Sequence, residues 1–194
     1  PKIIKKIIQI WSKLMNPITP HLSEELNQEK ELASGSPWPE ADEQRISLKA
    51  EAGEEMIKNT LAGMRKVVEL SGLEKINQFT IFIAEQWLYD LFSVVKGEIS
   101  TTRNIGEIIR KVLENEQMKV KGKEVSKIVG MLLKDVSKLP SLVLSQAEEL
   151  ELIKSAKNFL EDEFKCQIQI VIAEESDSSK AKSAIPGKVG VLVE

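Results

Sequence analysis

Residue types that commonly build catalytic or metal sites are nearly absent from this chain of 194 residues. It contains one cysteine, Cys166, and one histidine, His21, which excludes an internal disulfide and a zinc site made of cysteines and histidines. His21 is interpreted as a packing or capping residue, and no histidine near Cys166 in the sequence would activate its thiol. The ten glycines are scattered, and none forms a phosphate-binding loop. We therefore expect no catalytic residue, no metal site and no bound cofactor in this chain.

Long hydrophobic runs are absent as well. No segment approaches the ~20 apolar residues that a membrane-spanning helix needs, and no signal-peptide pattern occurs. A single cysteine fits a reducing environment, so the sequence predicts a cytoplasmic protein with no membrane partner. The composition, 42% hydrophobic and 29% charged, is that of a globular protein, and with 5% aromatic residues its core must consist mainly of Ile, Leu and Val.

Residues 2–26 contain the clearest helical pattern of the chain. Pro17 ends a first helix, because the residue before a proline is pushed out of the helical region. Thr19 and Pro20 then fit the N-cap and the first position of a second helix. The pattern predicts a helical hairpin with its apolar face inside and a row of lysines on one outer edge. The apolar face of the first helix consists of Ile3, Ile4, Ile7, Ile8, Trp11, Leu14 and Met15.

The next part of the sequence predicts further helix. A loop rich in Ser, Gly and Pro at 33–42 leads to a long helix expected over residues 48–70, for which Gly72 is a suitable C-cap. Trp38, between two prolines of the loop, is expected to cover the end of a helical bundle. Three helices that share their apolar stripes would close this bundle. Residues 1–74 are therefore predicted to form one helical domain.

A small α+β part is predicted after that, which makes the whole chain mainly α. Alternating hydrophobic residues at 79–83, 168–172 and 189–193 predict three strands, and helical spacing predicts four helices between the first two. The economical arrangement is a three-stranded mixed sheet with helices packed on one face. We therefore predict a second domain over residues 75–194.

Charge is distributed in alternating blocks, although the net charge is only −3. Residues 2–15 carry four lysines and no acid, and residues 100–140 carry nine basic against five acidic residues. Such blocks are often solvated helix faces, but they also set the field that a polyanion meets. With few aromatic residues, we expect RNA to be recognised by shape and backbone rather than by base stacking. The candidate RNA-binding cations are Lys2, Lys5, Lys6, Lys13, Arg103, Arg110, Lys111, Lys119, Lys121, Lys123, Lys127, Lys180, Lys182 and Lys188.

Two segments carry a resemblance to a known family. Residues 17–26 read PITPHLSEEL, and residues 37–42 read PWPEAD. Together they resemble the anticodon-binding helical domain of class I aminoacyl-tRNA synthetases, in the subgroup that handles Leu, Ile, Val and Met. The region after Gly72 is similar to the C-terminal end of archaeal or eukaryotic-type leucyl-tRNA synthetases. The resemblance covers most of the chain in organisation and is strongest in its first quarter.

The resemblance implies that tRNA, and not DNA, is the partner. Leucyl enzymes of this type hold the long variable arm of tRNA(Leu) with their C-terminal domain. Their last residues approach the tip of that arm, which implies main-chain contacts from Val193 and Glu194. The chain lacks the family's His-x-Gly-His and Lys-Met-Ser-Lys-Ser motifs. ATP, Mg²⁺ and leucine activation are therefore expected in a parent ligase, of which this chain would be an inactive fragment that begins within a helix.

Two alternatives remain open at this point. The same region of an isoleucyl, valyl or methionyl enzyme would need groups that read the anticodon. A protein of a different class, a helical protein–protein adaptor that uses the acidic surface of residues 19–58, would have no RNA role.

Overall fold

The computed structural model describes residues 2–27, 29, 31–73 and 75–194, without the side chain of Gln117. The chain divides into two compact units, 1–46 and 47–194, each of which is described by itself. Within the described ranges, no helix is both long and apolar enough to cross a membrane.

A helical hairpin, α1 (Lys2–Met15) and α2 (Pro20–Leu26), forms the core of the first unit. Its corner is tight, because the N–H groups of Ile18 and Thr19 both donate to the carbonyl of Met15, at 2.9 and 2.8 Å. Thr19 occupies the predicted N-cap position, but its hydroxyl donates to the same carbonyl and does not cap α2. The proline corner was thus predicted correctly, and its hydrogen bonds differ from those of a side-chain cap.

The apolar face of α1 is exposed, contrary to the prediction that it lies inside the hairpin. The seven-residue α2 packs on the flank of this face, where Ser12 and Ser23 are buried, and it is too short to cover the face itself. Trp38, expected to cover the end of a bundle, is 62% exposed. The exposed large apolar residues of the hairpin are Ile3, Ile4, Ile7, Ile10, Trp11, Leu14, Ile18 and Leu22.

Glu24 gives the PITPHLSEEL segment a structural role. Its carboxylate accepts hydrogen bonds from the N–H groups of Ala33, at 2.9 Å, and Ser34, at 3.1 Å, and from the side-chain amide of Asn16, at 3.4 Å. The bond from Ala33 is the largest cause that lowers the pKa of Glu24 below its ordinary value. Glu24 therefore fastens the loop after α2 to the hairpin corner.

The second unit begins with a long helix and contains all three strands. Ser47 caps its first helix and Gly72, at φ +63°, ends it, while Ser145 and Glu148 form a capping box at the start of its last helix. The elements are α3 (Leu48–Ser71), β1 (Gln78–Ile83), α4 (Gln86–Ile99), α5 (Ile105–Val112), α6 (Glu116–Val120), α7 (Gly122–Lys134), α8 (Gln146–Phe164), β2 (Gln167–Ile172) and β3 (Gly190–Val193).

The sheet has the order β2-β1-β3, with β2 parallel and β3 antiparallel to β1. β1 is the central strand, and Phe79, Ile81 and Ile83 on it are fully buried. α8 packs against β1 and β2, where the rings of Phe79 and Phe164 lie 5.2 Å apart. A mainly helical fold with a three-stranded mixed sheet confirms the predicted fold class.

The compact units differ from the predicted domains, which were divided after residue 74. The buried side of α3, with Met56, Thr60 and Met64, packs in the second unit, where α3 contacts α8 and β3. Its apolar stripe is therefore used within the second unit, against the sheet layer. The observed division falls at Ile46 and Ser47.

Candidate nucleic-acid interface

A groove of about 1030 Å³ lies between α3, α7 and the loop over residues 181–188. Its lining is partly apolar, with Trp87, Met131 and Pro140 among the contributors. Four carboxylates also line it, those of Glu55, Glu85, Glu124 and Glu149. Six lysines line it too, namely Lys66, Lys121, Lys127, Lys138, Lys182 and Lys188.

Four of the predicted RNA-binding cations meet in this groove. Lys121 and Lys127 come from the start of α7, and Lys182 and Lys188 come from the loop before β3. Lys66 on α3 and Lys138 after α7, which were not among the predicted cations, line the groove as well. No local signal could have found these two, because it is the packing of α3 and α7 around the groove that brings them together.

The remaining predicted cations of the second unit do not line the groove. Lys111 is paired with Glu98, and the others are exposed. They are spread over the loop before α5, α5 itself, α6, the start of α7 and the loop before β3. These other cations are Arg103, Arg110, Lys119, Lys123 and Lys180.

The lysines of the hairpin belong to the first unit. Lys2, Lys5 and Lys6 are exposed on α1, as the prediction of an outer basic edge requires. Lys13 is less available to an RNA phosphate than these three lysines, because its ammonium lies 3.1 Å from the carboxylate of Glu29.

The last residues of the chain are tied into the sheet. The N–H of Glu194 donates to the carbonyl of Gln78 at 2.9 Å, and its own carbonyl accepts from Asn77 and Gln78. Since Gln78 and Glu194 exchange both main-chain bonds, Val193, at the next register position, turns its N–H and carbonyl away from β1. Main-chain contact with RNA stays a prediction. The N–H and carbonyl of Val193, which β1 does not use, are the groups that could make this contact.

Three side chains of the lining, those of Glu85, Trp87 and Lys121, form a cluster. The Lys121 ammonium lies 2.6 Å from the Glu85 carboxylate, and the Trp87 indole N–H donates to the same carboxylate at 2.6 Å. Lys121 also lies 4.5 Å from the centre of the Trp87 ring. Partial burial acts to raise the pKa of Glu85, but the bonds from Lys121 and Trp87 outweigh it and lower that pKa. The cluster therefore fixes the orientation of a half-buried indole ring.

A buried carboxylate holds the turn at Gly187, which also lines the groove. Glu149, which is 2% exposed, accepts hydrogen bonds from the N–H of Gly187 and the hydroxyl of Tyr89, both at 2.6 Å. Gly187 has φ +78° in a tight turn closed by two hydrogen bonds between Ile185 and Lys188. Glu149 thereby positions the turn that carries Lys188. No local pattern distinguishes Glu149 from the exposed charges of α8, and only the packing of the helix turns this position towards the core.

A lysine fixes the loop between α7 and α8. The Lys96 ammonium, on α4, donates to the carbonyls of Pro140, at 3.0 Å, and Ser141. Ser141 in turn donates its hydroxyl to Glu55 of α3 at 3.3 Å. The part of the lining that Pro140 and Ser141 form is therefore fixed by the fold as well. Within the described residues, no group of three or more His, Cys, Asp or Glu side chains is placed to hold a metal ion.

Stability is expected to depend on the ionisation of Glu149. Burial is the largest cause that raises its pKa above the ordinary value of 4.5, so the folded protein binds this proton more tightly than the unfolded chain. The resulting stabilisation is complete below the unfolded pKa and is lost as the pH rises through the folded pKa. A Glu149→Gln variant lacks this titration. Chemical denaturation at a series of pH values is expected to show wild type losing stability relative to this variant as the pH rises, and a constant difference would contradict the assignment.

Comparison with known proteins supplies an independent observation. The model of one protein family, the anticodon-binding domain of tRNA ligases, matches residues 1–129. The chain is 31% identical over 197 residues to a leucine–tRNA ligase of Methanococcus maripaludis, which covers 99% of the chain. It is 27% identical to the leucine–tRNA ligases of Methanococcus aeolicus and Pyrococcus furiosus, over 100% and 99% of its length. In each comparison the chain spans 19% of the relative.

Proposed function

This chain belongs to the family of anticodon-binding domains of tRNA ligases, and we propose that it is the tRNA-binding C-terminal part of a leucine–tRNA ligase. The similarity to leucine–tRNA ligases over essentially the whole chain supports leucine over the isoleucyl, valyl and methionyl alternatives. The observation that carries the proposal is the groove, where four separate segments of the second unit bring six lysines together. The partner is tRNA(Leu), positioned through its body and its long variable arm.

The mechanism is electrostatic capture of the RNA backbone followed by discrimination of shape. Lys66, Lys127, Lys182 and Lys188 are exposed, and no carboxylate of the described residues forms an ion pair with them. Their ammonium groups are therefore available to phosphates, and each contact releases condensed counterions. Lys121 is committed to Glu85, so it contributes less charge to an incoming phosphate.

The chemical steps of a ligase are assigned outside this chain. ATP, Mg²⁺ and leucine are proposed to bind a catalytic part of the parent enzyme, because this chain has neither of the nucleotide-binding motifs that the family uses. The chain then contributes binding and orientation of the tRNA, and no bond is made or broken on it.

Substitution of three groove lysines is expected to weaken tRNA binding and reduce its salt dependence. In a Lys127→Gln, Lys182→Gln, Lys188→Gln variant, the slope of log K against log salt concentration is expected to fall by up to about 3, one unit for each lost phosphate contact. Filter binding of tRNA(Leu) to the full-length protein at several salt concentrations measures the slope. The matched control is Lys154→Gln, an exposed lysine on α8 that does not line the groove.

Two outcomes would remove parts of the proposal. A slope that stays unchanged in the triple variant would exclude the groove as the site of phosphate contact. Equal affinity of the wild-type protein for a tRNA with a short variable arm would remove the assignment to tRNA(Leu).

A further inference from the structure

We propose that the groove receives unpaired nucleotides of the RNA, with a base against Trp87 and phosphates on the lysines of its rim, and does not receive a double helix. This inference rests on the proposed function, because it assigns the form of RNA that the same site binds. It departs from the expectation that recognition uses only shape and backbone, because Trp87 lines the groove.

The size of the groove favours single nucleotides over a duplex. Its volume of about 1030 Å³ is at the upper end of the range of about 300–1,000 Å³ that is typical of pockets for small ligands. An A-form double helix is much wider than such a groove and can only lie across its mouth. Unpaired nucleotides can enter it, since their bases are free to turn out of a stack.

The carboxylates of the lining favour bases over backbone. A double helix presents mainly phosphates and 2′-hydroxyls to a protein surface, and the phosphates are repelled by carboxylates. The groove nevertheless carries Glu55 and Glu124 beside its lysines. Unpaired bases offer exocyclic amino groups, which donate hydrogen bonds to carboxylates. A ligand with both phosphates and amino groups therefore matches this mixed lining better than one that shows phosphates alone.

Trp87 has the properties of a stacking platform. Its ring is half buried, and the bond from its indole N–H to Glu85 fixes the ring plane. The Lys121 ammonium lies over one face of the ring, 4.5 Å from its centre, so a base would stack on the opposite face. Stacking on an ordered ring costs little conformational entropy, because the side chain is already immobile before RNA arrives. Lys127 and Lys182 line the same groove and can reach the phosphates of a nucleotide bound there.

The groove is a separate contact from the one expected at the chain terminus. Trp87 follows the C-terminal end of β1, whereas Val193 and Glu194 pair with Phe79 and Gln78 at its N-terminal end. The two ends of this six-residue strand are about 16 Å apart. One RNA can therefore meet both places with different nucleotides.

Binding of matched RNA probes to the full-length protein tests the inference. The probes are a short single-stranded RNA of mixed sequence and a blunt duplex that contains the same strand, each with a fluorescent label read by anisotropy. Trp87→Leu keeps an apolar side chain and removes the aromatic face, and we expect it to weaken binding of the single strand roughly tenfold. Trp87→Phe is expected to restore most of that loss, and binding of the duplex is expected to be unchanged in both variants.

The outcomes separate this inference from the proposed function. If Trp87→Leu weakens both probes equally, or neither, while the lysine variant still weakens tRNA binding, the groove binds backbone and this inference is overturned. If the lysine variant leaves tRNA binding intact, the proposed function fails instead. Displacement of the labelled single strand by an acidic peptide, but not by unlabelled RNA, would show a protein partner and would also overturn the inference. Thermal unfolding of each variant confirms that it is folded before binding is compared.

Discussion

Replacement of Gly190 by alanine is expected to lower the free energy of unfolding by roughly 2–4 kcal/mol. Gly190 begins β3 and pairs with Phe82 on β1. A Cβ atom at this position would lie 2.3 Å from the carbonyl oxygen of Lys180 and 3.3 Å from the Cβ of Phe82. The atom in the way belongs to the main chain, so it cannot turn aside as a long side chain would. Either β3 or the segment around Lys180 must move.

The same substitution is expected to affect the groove. The segment displaced from Gly190 leads directly to Lys182, which lines the groove. Affinity for tRNA is therefore expected to fall although no charge has been removed. Urea denaturation and tRNA binding, measured on the same preparations, test both effects.

Gly97→Ala is the matched control for this experiment. Gly97 lies within α4, and no atom would come within 4 Å of an added Cβ. Alanine is expected to stabilise this helix by about 0.5–1 kcal/mol, because glycine is a poor helix former. If Gly190→Ala behaved like Gly97→Ala, the close approach of Lys180 to β3 would be contradicted.

Much of the fold could be predicted because its signals are local. The alternation around Ile81 predicted the central strand, and Gly72 predicted the end of α3. The proline corner at Pro17 was predicted from the conformational limit that proline sets on the residue before it. These features depend on a few neighbouring residues, so a single sequence contains them in full.

The candidate site could be predicted only in part, because its residues are distant in sequence. Lys121 and Lys182 were proposed for their local charge, and their meeting with Lys66 depends on how α3 packs. The exposure of Ile3 and Ile7 was missed for a related reason: an apolar stripe shows that a helix has a face to bury, but not which element covers it. Glu149 was missed because buried and exposed glutamates look the same in a helix that carries many charges.

Replacement of Glu149 by alanine is expected to lower the free energy of unfolding by roughly 2–4 kcal/mol. The change leaves the buried hydroxyl of Tyr89 and the N–H of Gly187 without their shared acceptor. Burial and the nearby Glu149 raise the pKa of Tyr89, so its hydroxyl stays protonated and still requires an acceptor near neutral pH. Chemical denaturation at pH 7 measures the loss.

Two further variants separate the loss of the hydrogen bonds that Glu149 accepts from the simple loss of side-chain volume. Glu149→Gln keeps an acceptor for the N–H of Gly187, but its amide group cannot accept the hydrogen bond of the Tyr89 hydroxyl, so we expect only part of the loss to be recovered. Tyr89→Phe removes only the hydroxyl, so combining it with Glu149→Ala is expected to cost less than the sum of the two changes. Strict additivity would contradict a direct bond between these side chains. Because Glu149 holds the turn that carries Lys188, Glu149→Ala is also expected to weaken tRNA binding while Glu149→Gln leaves it near the wild-type value.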